Sequence, residues 1–245
     1  MLPGAAVPTV DVWVVDSTSL DARDLARMAT LLTPEETARG ARYVRPQDRA
    51  SFVLTRALVR TTLSRYGPVA PRDWRFVTNA HDCPFVAEAQ AGSPVLRFNI
   101  SHTNGLVALA VARGHRVGLD VEAVTRPVLE DIPERHFAPD EVRDLRALPA
   151  AEQPRVFFDY WTLKEAYIKA RGMGLALPLD QFAFALAPGS PPAIRFAAGF
   201  DDDPTRWQFW QAWPTPTHRL SLAIERDGAD LPVALRQVTP AQLAL

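Results

Sequence analysis

Lysine is nearly absent from this 245-residue sequence, and the exceptions lie close together. Of the 27 basic residues, only two are lysines, Lys164 and Lys169, and they lie on either side of Glu165. Arginine stays protonated at any pH that a protein meets, whereas a lysine amine can shift its pKa and give up a proton. A general preference for arginine is only a bias of composition. The two exceptions therefore indicate a position whose chemistry arginine cannot provide.

Cysteine and long apolar runs are also scarce. The single cysteine, Cys83, excludes an internal disulfide and a zinc site built from several cysteines. The longest uninterrupted apolar run covers residues 106–112, far short of the ~20 residues that a membrane span needs. The first residues lack the basic region and apolar stretch of a secretion signal, so we expect a cytoplasmic protein that does not bind membranes.

Net charge is close to zero, but its distribution is uneven. A formal charge of −1 gives no general attraction to nucleic acid, which we do not expect as a partner. A hydrophobic content of 47% with 22% charged residues is typical of a globular protein of one large or two small domains. One segment has a single acid, Asp48, among seven arginines: Arg39, Arg42, Arg45, Arg49, Arg56, Arg60 and Arg65.

Apolar periodicity and turn residues predict a mixture of helices and strands. Thr33, Pro34 and two following acids form a typical helix start. The predicted helices cover residues 20–32, 46–66, 129–137, 139–148 and 154–171, with a further helix beginning at residue 34. The predicted strands cover residues 10–15, 74–77, 96–100, 107–112, 117–122, 182–186, 193–197, 207–213 and 220–225. Strands 107–112 and 117–122 are predicted to form a hairpin, and the last four strands an antiparallel sheet.

A faint internal repeat favours an α+β fold of two pseudo-symmetric halves. Arg56 lies 18 residues before Trp74, and Lys164 lies 18 residues before Phe182. In both places a long helix ends at glycine, and a loop of similar length leads to an aromatic strand. The predicted boundary lies near Gly114, which gives halves of residues 1–114 and 115–245. The interface between such halves is a natural place for a ligand cleft.

Two acids on the strand at 117–122 form the first chemical signature. Side chains alternate along a strand, so Asp120 and Glu122 share one face. Neighbouring carboxylates raise each other's pKa unless a cation lies between them. The pair is either a solvated strand face or a Mg²⁺ site, because Mg²⁺ prefers carboxylate oxygens.

Glu165 and Lys169 form a second signature on a predicted helix. At helical spacing they share a stripe with Phe158 and Thr162. An ordinary surface pair of this spacing would contribute only about 0.2–0.5 kcal/mol to stability. That interpretation does not explain why lysine occurs here and nowhere else.

Ser101, His102 and Thr103 follow a strand at a predicted turn. Small polar side chains and free backbone amides at such a corner suit a phosphate oxygen. A structural histidine is the ordinary alternative. A serine-protease triad is disfavoured, because no glycine elbow surrounds Ser101 and the Ser-His pair is adjacent in sequence. The arginine-rich segment is either a solvated helix face or a second phosphate site.

Together these motifs resemble the 4′-phosphopantetheinyl transferases. The resemblance rests on an ordered set of segments: 99–102 (Asn-Ile-Ser-His), 117–122 (Val-Gly-Leu-Asp-Val-Glu), 135–141 (Arg-His-Phe-Ala-Pro-Asp-Glu) and 161–169 (Trp-Thr-Leu-Lys-Glu-Ala-Tyr-Ile-Lys). The length resembles the larger, surfactin-synthetase type, which has two pseudo-symmetric halves in one chain. The resemblance implies a monomer.

The resemblance implies transfer of the phosphopantetheine arm of coenzyme A to a serine of an apo carrier protein, with release of adenosine 3′,5′-bisphosphate. It implies that Asp120, Glu122 and Glu165 hold Mg²⁺, or Mn²⁺ in its place. Glu165 or Glu122 would take the serine proton, directly or through a metal-bound water. Lys169 would neutralise or protonate the leaving phosphate.

The resemblance also implies contacts to coenzyme A. Ser101, His102 and Thr103 would bind its phosphates, and Arg39, with Arg42 beside it, would hold the 3′-phosphate. Lys164 would bind phosphate or serve the structure. The family's Gly-Lys-Pro loop is here replaced by Asp-Cys-Pro, so Cys83 and Pro84 stand at the cofactor loop without its lysine, which an arginine would replace.

Two other functions remain open at this point. A noncatalytic coenzyme A-binding regulator would tolerate loss of the carboxylates and of Lys169, all of which are present. A Mg²⁺-dependent phosphohydrolase would cleave coenzyme A without a carrier. The sequence does not distinguish a fatty-acid, polyketide or peptide carrier as the acceptor.

Overall fold

Two similar sets of elements follow one another in the computed structural model, which describes residues 9–128, 131–174 and 177–243. The first set comprises β1 (Val10–Asp16), α1 (Ala22–Ala29), α2 (Pro34–Gly40), α3 (Pro46–Leu63), β2 (Phe76–Thr78), β3 (Pro84–Val86), α4 (Glu88–Ala91), β4 (Leu96–Thr103) and β5 (Leu106–Arg113). The second comprises β6 (Val117–Ala123), α5 (Ile132–His136), α6 (Pro139–Arg146), α7 (Gln153–Arg171), β7 (Phe182–Ala185), β8 (Ala193–Phe196), β9 (Trp207–Thr215) and β10 (His218–Glu225). They are followed by β11 (Val233–Val238) and α8 (Pro240–Leu243).

The strand order confirms the internal repeat and the predicted α+β fold. In the first set β5 lies between β1 and β4, and in the second β10 lies between β6 and β9. All of these pairs are antiparallel. Each set also contains a two-stranded hairpin, β2–β3 and β7–β8. The same connectivity in both halves therefore positions one long helix, α3 or α7, against each sheet.

β11 breaks the symmetry. It runs parallel to β1 and pairs with the edge of that strand, from Val10 with Val233 to Val15 with Val238. The first sheet therefore contains a strand from the far end of the described chain. The division into residues 1–114 and 115–245 stays a prediction.

The long helices lie where the periodicity predicts them. α2 begins with the predicted cap: the Thr33 hydroxyl accepts from the Glu36 backbone N–H at 3.3 Å, and the Glu36 carboxylate accepts from the Thr33 N–H at 3.1 Å. α7 ends at Gly172, whose φ of 65° is left-handed. Of the helix predicted for 129–137, residues 132–136 are helical, and 129 and 130 lie outside the described residues.

The predicted hairpin between β5 and β6 is wrong. β5 pairs with β1 and β4, whereas β6 pairs with β10, so the turn at Gly114 carries the chain from one sheet to the other. The Gly114 N–H donates to the carbonyl of Val95 at 2.9 Å, which holds the turn against β4 instead of closing a hairpin. The strands at 182–225 also form two sheets and not one, because β7 and β8 pair only with each other among the described residues.

Three apolar clusters hold these layers together. One lies between α3 and the first sheet, and a second surrounds α7. The third joins the two sheets through β1, β5, β6 and β10, with Val12, Leu106, Leu119 and Leu222 fully buried. In the part of the chain that the structure describes, no helix combines the length and the apolar character that a membrane span requires.

Gly118 allows α7 to lie unusually close to β6. A Cβ atom built at this glycine would stand 2.0 Å from the Ala166 carbonyl oxygen and 2.2 Å from the Ala170 nitrogen. Any larger residue would push the helix away. Because Gly118 and Asp120 lie on the same face of β6, this close approach brings the side chains of α7 onto the acids of the strand.

Candidate active site

Asp120 lies at the centre of a charged site between β4, β6 and α7. Its side chain is buried, and Oδ1 accepts hydrogen bonds from Lys169 Nζ at 2.6 Å and from Ser101 Oγ at 2.9 Å. Lys169 Nζ also donates to Ser101 Oγ at 3.2 Å. The second oxygen, Oδ2, is buried without a hydrogen-bond partner among the described residues. A buried carboxylate oxygen is costly to leave unpaired, which indicates a position for a cation.

Glu122 is half-buried two positions further along the same strand face. Its Oε1 accepts from Arg126 Nη2 at 2.9 Å, and its Oε2 accepts from Thr103 Oγ1 at 3.3 Å. Burial raises the pKa of the Glu122 carboxyl, and the charge of Asp120 raises it further. Both carboxylates are therefore held in place by neighbouring side chains.

Glu165 joins the two strand acids from α7. Burial raises the pKa of its carboxyl first, and the charge of Asp120 raises it next, while Lys169 lowers it and Glu122 raises it slightly. Glu165 therefore lies near enough to Asp120, Glu122 and Lys169 for their charges to shift its pKa, and the role of the three carboxylates as metal ligands stays a prediction. Repelling carboxylates close to one another are stabilised by a cation between them.

The three carboxylates provide the oxygen donors that Mg²⁺ prefers. In residues 9–128, 131–174 and 177–243, no group of three or more His, Cys, Asp or Glu side chains is already arranged around one point. Mg²⁺ keeps several waters and commonly takes one or two carboxylates plus substrate phosphates, so a complete protein cage is not required. The unpaired oxygen of Asp120 makes the donor set compatible with such an ion.

A row of side chains on β4 fixes the position of β6. Three side-chain oxygens, Asn99 Oδ1, Ser101 Oγ and Thr103 Oγ1, accept from the backbone N–H groups of Leu119, Val121 and Ala123 at 2.9, 3.3 and 3.3 Å. These bonds replace a backbone ladder between the two strands. The sequence reasoning missed Asn99 in this role, although polar residues at every second position of β4 are the signal.

Ser101 and Thr103 thus support the acids directly, and their predicted phosphate contacts stay a prediction. His102 points to the opposite face of β4, because neighbouring residues of a strand alternate, and it is exposed. The three predicted residues of this corner therefore divide into two positioning hydroxyls and one accessible imidazole.

Six of the seven arginines in the arginine-rich segment form two groups, and the seventh, Arg65, lies over the Trp13 ring. Arg56 and Arg60 form ion pairs with Glu36. Four arginines at the start of the segment are exposed and have no acidic partner within the described residues: Arg39, Arg42, Arg45 and Arg49. This second group includes both predicted ligands of the 3′-phosphate and is available to an anion.

Cys83 lies in a cavity of about 190 Å³ that also reaches Lys169. Pro84, the next residue, begins β3. Arg97 lines the same cavity, stacks on the Phe85 ring at 5.7 Å, and has no acidic partner among the described residues. A permanent cation therefore stands near the loop from which the family's lysine is missing.

Lys164 does not lie in the site: of its two predicted roles, the structure supports the structural one, and the predicted cofactor contact is wrong. Its side chain is 0% exposed, and Nζ pairs with Glu141 Oε2 at 2.7 Å. The ammonium also donates to the carbonyls of Leu179 at 2.8 Å and Phe182 at 2.7 Å. An ammonium has three protons, and all three are used inside the protein.

The internal repeat explains this lysine. In the first half Arg60 pairs with Glu36 at 2.9 Å and donates to the carbonyls of Pro71, Arg72 and Trp74. The counterpart of Lys164 is therefore Arg60, and not Arg56 as the 18-residue spacing predicts. Each half uses a buried cation to join its long helix to the short helix and the loop beside it.

We expect Lys164→Met to destabilise the fold without weakening donor binding. The change leaves the Glu141 carboxylate buried without its cation, which costs about 3 kcal/mol or more in the free energy of unfolding. Urea denaturation measures that loss, and the double variant with Glu141→Gln should recover part of it, because the amide carries no buried charge and its oxygen can still accept from a backbone N–H. A raised KM for the donor with unchanged stability would contradict the structural role.

Carboxylates beside a lysine can hold a metal ion and neutralise a phosphate, which suits an enzyme that transfers a phosphate-linked group. A family model described as the 4′-phosphopantetheinyl transferase superfamily matches residues 116–224. A second, described as the N-terminal part of 4′-phosphopantetheinyl transferase, matches residues 20–114.

Curated relatives agree with both matches. The chain is 36% identical to the 4′-phosphopantetheinyl transferase HetI of Nostoc, over 71% of this chain and 73% of the relative. It is 33% identical to the 4′-phosphopantetheinyl transferase Sfp of Bacillus subtilis, over 65% and 69%. A phosphopantetheinyl transferase of Thraustochytrium is 30% identical over 84% and 74%. The chain belongs to the 4′-phosphopantetheinyl transferase superfamily, and it is an enzyme that transfers phosphopantetheine to carrier proteins.

Proposed function

We propose that the enzyme takes phosphopantetheine from coenzyme A in a Mg²⁺-dependent reaction and releases adenosine 3′,5′-bisphosphate. The observation that carries the proposal is the contact between Lys169 and Asp120, beside a buried Asp120 oxygen that has no partner among the described residues. A cation and an incomplete carboxylate site together suit a pyrophosphate and its metal ion. We also propose a cytoplasmic monomer that binds neither nucleic acid nor membranes.

In this proposal Asp120, Glu122 and Glu165 hold Mg²⁺, or Mn²⁺ in its place. A bound ion of this kind neutralises charge that develops on the pyrophosphate. Gly118 and the side chains of β4 supply the rigid support, because Gly118 lets α7 lie close to β6 and the β4 side chains fix the position of β6. Transfer of this type depends mainly on positioning and on charge neutralisation.

Glu165 is the proposed base for the acceptor serine, with Glu122 as the alternative. The serine hydroxyl loses its proton to the carboxylate as its oxygen forms a bond with the β-phosphorus of coenzyme A. The bond from that phosphorus to the bridging oxygen breaks, and the electron pair leaves with adenosine 3′,5′-bisphosphate. Burial and the charge of Asp120 raise the pKa of the Glu165 carboxyl in the metal-free protein.

The remaining phosphates have cationic partners on the first half. We propose that Arg39 and Arg42 hold the 3′-phosphate, with His102 at the edge of the site. Arg97 is the arginine we propose in place of the missing lysine, because it lines the cavity that joins Cys83 to Lys169. Cys83 and Pro84 contribute the shape of that loop.

Incubation with coenzyme A, Mg²⁺ and a panel of apo carrier proteins tests the proposal. We expect intact-protein mass spectrometry to show a carrier heavier by one phosphopantetheine, and chelation of the metal to prevent the change. The absence of a mass shift across fatty-acid, polyketide and peptide carriers would overturn the proposal. Cleavage of coenzyme A without any carrier would indicate a hydrolase instead.

We expect Lys169→Arg to lower kcat about 10²-fold or more while keeping a positive charge near Asp120. Arginine does not give up its proton at accessible pH, whereas general acid catalysis typically contributes 10²–10⁴-fold. Steady-state kinetics with a fixed carrier measures the change, and thermal unfolding checks the fold. Unchanged turnover would show that Lys169 acts only as a point charge.

A further inference from the structure

Arg126 is a cation of the site to which neither the motifs nor the family match assigns a role. It follows Glu122 by four residues, just beyond the end of β6. Its Nη2 lies 2.9 Å from Glu122 Oε1, and its guanidinium stands 5.5 Å from the Phe158 ring centroid. The side chain is 47% exposed. Arg126 therefore lies at the rim of the site, with one end on a carboxylate that we assign to the metal.

Asp120 and Glu122 are neutralised in the same way. Lys169 occupies Oδ1 of Asp120, and Arg126 occupies Oε1 of Glu122. An arriving metal ion meets two positive charges already bound to its ligands. Like charges at short distance repel, so ion binding and these pairs compete.

Arg126 is held loosely compared with the buried arginines. The Arg60 side chain has a carboxylate and three carbonyls as partners. Beside its contact with the Phe158 ring, the Arg126 side chain has Glu122 as its only hydrogen-bond or ion-pair partner among the described residues. A half-exposed side chain with one ion pair loses little when it moves, since such pairs contribute about 0–1 kcal/mol. The guanidinium can therefore turn towards a new anion at small cost.

We propose that Arg126 is an exchangeable counter-cation: it holds Glu122 while the metal is absent, and it binds a phosphate oxygen of the donor once the metal occupies the carboxylates. This inference rests on the proposed function of the same site. The planar guanidinium matches the geometry of phosphate oxygens and keeps its charge throughout. Glu122 therefore stays paired with Arg126 until the metal ion arrives. The donor phosphate that accompanies the metal ion then becomes the new partner of Arg126.

Mn²⁺ titration without donor tests the first step of the exchange, in which the metal ion displaces Arg126 from Glu122. We expect Arg126→Gln to bind Mn²⁺ about two- to fivefold more tightly than the unchanged protein, the range that removing a half-exposed ion pair implies. The signal of free Mn²⁺ in electron paramagnetic resonance gives the affinity directly. An unchanged or weaker affinity would overturn the proposal.

Steady-state kinetics tests the second step of the exchange, in which Arg126 binds a phosphate oxygen of the donor. We expect Arg126→Gln to raise the KM for coenzyme A about fivefold or more, because a charge-assisted hydrogen bond to phosphate is lost. Arg126→Lys keeps the charge without the planar fork, so its Mn²⁺ affinity should stay near that of the unchanged protein and its KM should be intermediate. An unchanged KM in Arg126→Gln would overturn the phosphate contact.

Arg135→Gln is the matched control. Arg135 also forms an i,i+4 ion pair, with Asp131 at 2.7 Å, but it is 70% exposed and its partner is no ligand of the proposed metal. We expect no change in Mn²⁺ affinity or in KM, and an equal change in both arginine variants would contradict the inference. If the unchanged protein modified no carrier, the proposed function would fail, while the Mn²⁺ titration would still decide whether Arg126 competes with the ion.

Discussion

Glu165→Gln is expected to reduce phosphopantetheine transfer about 10³-fold or more. The amide keeps the size of the side chain but removes both a charge of the proposed metal site and the proposed acceptor of the serine proton. The fold should persist, because burial and the charge of Asp120 already raise the pKa of this carboxyl. A neutral side chain at this position relieves repulsion, so thermal stability should be unchanged or slightly higher.

Carrier mass and steady-state rates measure this effect. Glu152→Gln is the control, since Glu152 is exposed immediately before α7 and has no side-chain cap bond. We expect it to transfer at the normal rate. More than about a tenth of normal turnover in Glu165→Gln would place the metal and the base elsewhere, since loss of general base catalysis alone costs about 10²-fold.

Gly118→Ala is expected to lower the free energy of unfolding by about 3 kcal/mol or more, the upper range for overpacking in a rigid core. The added methyl group would meet the backbone of α7 at Ala166 and Ala170, at distances no Cβ contact tolerates. Backbone atoms of a packed helix cannot rotate away as a side chain does. The helix would have to shift, which would separate Lys169 from Asp120 and lower activity in any molecules that still fold.

Urea denaturation of Gly118→Ala and Gly67→Ala provides the comparison. A Cβ atom at Gly67 would lie 3.8 Å from Trp74, an ordinary contact, so we expect this control to unfold within about 1 kcal/mol of the unchanged protein. If Gly118→Ala were equally stable and fully active, the close approach of α7 to β6 would not be what positions the site.

The sequence predicted those features that depend on residues close together in the chain. The Thr33 cap and the Gly172 stop follow from local chemistry, and both are found. Strand alternation alone places Asp120 and Glu122 on one face. The helical period places Glu165 and Lys169 on one side of α7. These rules operate over a few residues and do not require knowledge of the partner strand.

Features that depend on distant partners were not predictable in this way. The short turn between β5 and β6 suits a hairpin as well as a crossing between two sheets, so only the pairing with β1 and β10 decides. Lys164 likewise resembles a binding residue in the sequence, because lysine is rare in this chain. Its structural role follows from its contacts with Glu141 and with the carbonyl of Phe182. Rarity in composition marked both lysines, but burial separates them.

The first half contains a changed copy of the site. β1 and β6 have seven residues each, so Trp13 stands where β6 has Asp120 and Val15 stands where it has Glu122. Arg65 follows Arg60 as Lys169 follows Lys164, and its guanidinium lies 5.0 Å from the Trp13 ring. In the first half a cation–π contact therefore stands where the second half has the ion pair between Lys169 and Asp120.

The pairing of β11 with β1 has a consequence for biogenesis. Val10 and Val233 are partners in the first sheet, yet nearly the whole chain separates them. During synthesis the edge of β1 is therefore exposed until β11 leaves the ribosome, although the rest of its sheet has long been translated. Unpaired strand edges favour association between chains. The late strand makes final closure of the first sheet a non-local and comparatively slow event.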